Sequence, residues 1–118
     1  MPVRRILIVD DDPQMRAMLA LVVGLASIDA TTAPDADAAL AAVEAEVPDA
    51  VLIDVRLTGR DGFALAAELR ARHPALRLIL MSGDVTADAM GEQARIAAMH
   101  FLPKPFEPAA LLSLLGGC

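Results

Sequence analysis

The sequence predicts an α/β domain around a parallel sheet, on three observations. Apolar runs rich in Ile, Val and Leu recur along the chain, and they are continuous rather than alternating, as in strands covered on both faces. Between them lie helix-forming stretches, several opened by Asp or Pro. Two runs end in acids: Asp10 and Asp11 close ILIVDDDP, and Asp54 closes DAVLID. In a parallel sheet the carboxyl ends of the strands lie side by side. These acids therefore converge on one pocket, where their repulsion calls for a cation, and Lys104 in LPKPF completes the set.

The elements follow in order. VRRILIV is the first strand. Asp12 and Pro13 open a helix as N-cap and N1, and it runs to about Leu25. IDATTA is a short, more polar second strand suited to a sheet edge. Pro34 and Asp35 start a second helix that lasts to about Glu46. Pro48 and Asp49 lead into AVLID, the third strand, and residues 55–60 read as a loop containing Gly59. A third helix starts near Asp61 and ends by Arg72. LRLILMS is the fourth strand. A fourth helix begins near Thr86 and is weakened by Gly91. MHFLP is the fifth strand, and the last helix covers about Glu107 to Leu115 before Gly116 and Gly117. Five strand–helix units in alternation define the class.

Composition sets bounds on function. At 118 residues the chain is one domain, residues 1–118, large enough for a core without staples. The net charge of −6, with no Trp or Tyr and no basic run, argues against direct nucleic-acid binding by this domain. A single cysteine, Cys118, forms no internal disulfide and fits a reducing, cytoplasmic setting. The longest apolar stretch, AMLALVVGLA, falls short of the roughly 20 residues a bilayer requires, so no membrane role is expected. His73 and His100 sit in no metal-spaced cluster.

VDDD after the first strand, Asp54 after the third, Ser82-Gly83 after the fourth and Lys104-Pro105-Phe106 after the fifth resemble the receiver domain of bacterial two-component response regulators. The resemblance covers the whole chain. It implies a doubly wound (βα)5 flavodoxin-like three-layer sandwich with strand order 2-1-3-4-5 and its site at the strands' carboxyl ends. It implies that Asp54 is the phosphoacceptor, taking a phosphoryl group from a sensor histidine kinase, a phosphotransfer protein or a small phosphodonor. Asp11 would bind Mg²⁺ directly and Asp10 largely through water, with Asp54 and the backbone carbonyl of Arg56 completing the protein ligands. Ser82 would donate to the phosphoryl group, and Lys104, the sole lysine beside nine arginines, would supply a compact point charge. A cis Lys104-Pro105 bond would aim Lys104 at the pocket. Phe101 occupies the position of the switch aromatic, expected to turn as Ser82 moves. The output would be a changed surface on the fourth helix, fifth strand and fifth helix, read by an unidentified downstream protein.

Some positions go beyond or depart from the family pattern. Thr58 stands where proline is usual, which loosens the loop without removing a catalytic atom. Arg56 and Asp84 carry opposite charge at positions that tune dephosphorylation in the family, and they are expected to pair across the pocket mouth. On the first helix, Met15, Met18, Leu19, Val22 and Val23 follow core spacing, while Ala17, Ala20 and Leu21 form a second stripe, expected to dock a kinase or phosphotransfer helix. Leu111 and Leu115 are expected in the core, with Leu112 and Leu114 more exposed. Lacking basic residues, the last helix does not suit a charge-laced dimer, and a monomer or weak dimer is expected. The chain ends just after this helix, as a stand-alone receiver or a piece of a larger regulator or hybrid kinase would.

Two other functions compete. A degenerate receiver would serve as a protein-interaction module only, but every expected site residue is present. A haloacid-dehalogenase-type hydrolase would use Asp10 and Asp12 as an Asp-x-Asp pair. Pro13-Gln14 does not continue that motif, and the chain has no room for a cap domain.

Overall fold

The computed structural model describes residues 3–57, 60–82, 100–103 and 107–115. The strands of the main sheet are β1 (Arg5–Val9), β2 (Asp29–Ala33), β3 (Ala50–Asp54), β6 (Arg77–Ser82) and β7 (His100–Pro103). They pair in parallel in the order β2-β1-β3-β6-β7, which is 2-1-3-4-5 when the sheet strands are counted alone. The described helices are α1 (Pro13–Leu25), α2 (Ala36–Ala45), α3 (Gly62–Arg72) and α4 (Pro108–Leu114). The polar second strand does lie at an edge, paired with β1.

Side chains alternate across a strand, so a strand covered on both faces serves two cores. Leu7, Val9, Val51, Ile53, Leu78 and Leu80 face α2 and α3, packing on Ala39, Val43, Leu65 and Leu69. Ile6, Ile8, Leu52, Ile79 and Met81 share the opposite core with Leu19 and Val23 of α1 and with Leu111 and Leu115 at α4. The result is the expected three-layer sandwich. As expected, Leu111 and Leu115 are fully buried, while Leu112 and Leu114 are half-buried.

Aspartates start three helices. Asp12, Asp35 and Asp61 are N-caps whose carboxylates accept from the backbone N–H of Gln14, Ala38 and Phe63. At the opposite end of the sheet, Asp49 Oδ2 accepts from the backbone N–H of Arg4 at 2.9 Å and of Arg5 at 3.0 Å. This ties the starts of β1 and β3 together.

The structure corrects the sequence reading at three points. Residues 55–60 are not a plain loop, because β4 (Arg56–Leu57) and β5 (Arg60–Asp61) pair antiparallel, with Arg56 opposite Asp61. Met18 is not in the core: it is 49% exposed, in line with exposed Leu21 and Leu25. At about 100° per residue, Met18 lies roughly 100° around the helix from Leu19 and roughly 140° from Val23, the two residues that face the sheet, so it points outward. Ala20 is half-buried against the core rather than on the outer stripe. The fourth helix expected near Thr86 and Gly91 lies outside the described residues.

Candidate functional site

Register brings the acids together. Val9 pairs with Ile53, so Asp10 and Asp54, each the next residue along, reach the same level at the carboxyl ends of adjacent strands. One carboxylate oxygen from each of Asp10, Asp11 and Asp54 lies within 4.8 Å of the others. Asp10 is 1% exposed and Asp54 9%, whereas Asp11 is open to solvent. At that spacing two like charges repel by about 3.5 kcal/mol per pair at an effective dielectric near 20. All the donors are hard oxygens with no thiolate or imidazole among them, a set that fits Mg²⁺.

The local backbone fixes these side chains. Asp10 Oδ1 accepts from the Asp12 N–H at 2.9 Å, and Asp54 Oδ1 from the Arg56 N–H at 3.0 Å. Asp12 serves α1 as its cap and stands outside the acidic group, as expected. The sequence reading missed Arg16, whose Nη1 donates to the Asp10 carbonyl oxygen at 2.7 Å and holds the turn after β1. An arginine one turn into the helix after an acidic cluster was the available signal. It also passed over Gly62, which packs directly on the Asp54 backbone.

Farther along the sheet, Asp54 pairs with Met81, and Ser82, the last residue of β6, pairs with Pro103. The chain position of Lys104 therefore follows the strand beside Ser82. Phe101 lies in β7 opposite Leu80. Lys104, Pro105, Asp84 and Thr58 fall outside the described residues, as do the side chains of Ser82 and Phe101. The expected Arg56–Asp84 pair is thus not described.

The family model for the response regulator receiver domain matches residues 6–116. The chain belongs to this family. The receiver is 36% identical over 100 residues to the DNA-binding transcriptional regulator NtrC of Salmonella typhimurium, a match spanning 85% of this chain and 21% of that protein. The receiver domain of NtrX from Brucella abortus superposes with a TM-score of 0.86 at 33% identity, covering 96% of this chain and 99% of that one. The chemotaxis protein CheY4 of Vibrio cholerae superposes at 0.84 with 25% identity, covering 95% of each chain. This receiver spans about a fifth of the curated NtrC relatives it matches. Receiver domains are regulatory modules of two-component signalling that interact with histidine kinases and bind Mg²⁺ at an acidic cluster. No described helix is long and apolar enough to cross a membrane.

Proposed function

We propose that this receiver is a phosphorylation-activated switch whose acceptor is Asp54. The observation that carries the reading is the convergence of Asp10, Asp11 and Asp54 at the ends of β1 and β3. The Asp54 carboxylate attacks the phosphorus of a phosphohistidine on a histidine kinase or phosphotransfer protein. A P–O bond forms, the P–N bond breaks and the imidazole leaves, giving an acyl phosphate. Asp10, Asp11, Asp54 and the Arg56 backbone carbonyl would hold Mg²⁺, which when bound would neutralise charge on the phosphoryl oxygens. Lys104 supplies a further positive charge, and Ser82 donates to the transferred group. Movement of Ser82 with Phe101 changes the surface that a downstream protein reads.

The donor docks on α1. Exposed Met18 (49%), Leu21 (65%) and Leu25 (80%) form one apolar line, at i, i+3 and i+7, along the helix that begins beside the acidic cluster. That spacing suits the packing of a second helix.

The test is intact mass after incubation with acetyl phosphate, with and without Mg²⁺, for wild type and Asp54→Asn. The expected result is one Mg²⁺-dependent phosphoryl group that is lost in the variant. No adduct, together with no beryllofluoride binding, would leave an interaction-only module.

A further inference from the structure

We propose that Gly62 is a positioning residue for the phosphoacceptor: with no side chain there, the first turn of α3 rests on the Asp54–Val55 peptide and sets the direction of the Asp54 carboxylate. The inference builds on the reading of Asp54 as acceptor. A Cβ at Gly62 would lie 2.7 Å from Val55 Cα and 3.0 Å from the Asp54 carbonyl carbon, and closer still to the Asp54 carbonyl oxygen. These are backbone atoms, which cannot swing aside as the end of a long side chain does.

The contact has little room to relax. The Gly62 N–H donates to the Val55 carbonyl at 2.8 Å, and the Val55 N–H donates to the Met81 carbonyl at 2.9 Å. Val55 is thus held by α3 through its carbonyl and by β6 through its N–H. Helix α3 is anchored by Leu65, Ala66 and Leu69, all fully buried. A methyl group at Gly62 therefore presses on the end of β3, where the chain leaves the sheet for β4 and where Asp54 sits. Its carboxylate is fixed to the same segment through the Arg56 N–H. Gly24, in α1, is the internal contrast: a Cβ there meets nothing within 4 Å.

The experiment compares wild type, Gly62→Ala and Gly24→Ala below their melting temperatures. It reads the rate of acetyl-phosphate labelling, the Mg²⁺ concentration for half-maximal rate, and the ¹³C resonance of the Asp54 carboxyl carbon. Misplacement of a reacting group by about 1 Å costs up to roughly a hundred-fold in rate. Gly62→Ala is expected to label about ten-fold or more slowly with a shifted carboxyl resonance, and Gly24→Ala to match wild type in both. A folded Gly62→Ala with wild-type rate, Mg²⁺ dependence and resonance overturns the proposal, whatever its melting temperature. If wild type itself takes no label, the reading of Asp54 as acceptor fails separately, and the carboxyl resonance alone decides the positioning role. If Gly62→Ala does not fold, Asp61→Ala replaces it, since removing the α3 cap loosens the same turn without adding an atom. A moved resonance with slower labelling then supports the proposal, and no change in either overturns it.

Discussion

Asp49→Ala tests how the sheet's register is held at the end away from the site. The Asp49 carboxylate accepts from the backbone N–H of Arg4 and of Arg5, at 2.9 and 3.0 Å. These two donors, chiefly the Arg4 N–H and then the Arg5 N–H, hold its pKa below the ordinary 3.8. Asp49 is exposed, so water replaces much of what the substitution removes. The cost is then closer to that of a lost helix cap than to that of a buried charge, about 1 to 1.5 kcal/mol. For a chain of this length that lowers the melting temperature by about 5 °C. The contribution of a carboxylate with a lowered pKa is complete above its unfolded value and is lost as pH falls through the folded one. Urea unfolding of wild type and Asp49→Ala should therefore show the full gap near pH 7, narrowing below about pH 3.8 as the carboxylate protonates. An equal gap at both pH values would trace the loss to packing and refute the hydrogen-bond account. No gap near pH 7 would show that water satisfies Arg4 and Arg5 equally well.

The remaining predictions concern the site, the docking face and one backbone position. Asp11→Asn removes one charged oxygen donor, so the Mg²⁺ concentration for half-maximal labelling should rise by roughly ten-fold; an unchanged value would remove Asp11 from the ligand set. Leu21→Glu should slow transfer from the cognate kinase several-fold while leaving acetyl-phosphate labelling intact, and equal rates from both donors would refute docking on α1. Ser27 holds φ at 63° just after α1. Left-handed backbone costs a side-chain-bearing residue about 1 kcal/mol relative to glycine. Ser27→Gly should therefore raise the unfolding free energy by about that amount in a urea titration, and a lower stability would show that the serine side chain offsets the strain.

The site acids and the order of elements were legible in the sequence because each rests on a local pattern. Continuous ILIV and AVLI runs mark strands covered on both faces, and aspartate before a helical stretch marks a cap. Asp10, Asp11 and Asp54 stand out because they close apolar runs whose carboxyl ends lie side by side in a parallel sheet. Met18 and the segment 55–60 were misread for a related reason. A mostly apolar helix carries more than one candidate stripe, and only contact with the sheet selects the inner one. The β4–β5 hairpin has too few residues to show a period.

By itself, then, the sequence determined the class of fold, the helix starts and the identity of the acidic residues, since these follow from hydrophobic period and from side-chain chemistry over a few neighbouring positions. The tertiary structure alone decided which oxygens meet within 4.8 Å, that Met18 faces outward beside Leu21, and that a side chain at Gly62 would crowd the Asp54–Val55 backbone. These depend on strand register and on how closely α3 approaches β3. Both come from the packing of segments far apart in the chain, and no local spacing encodes them.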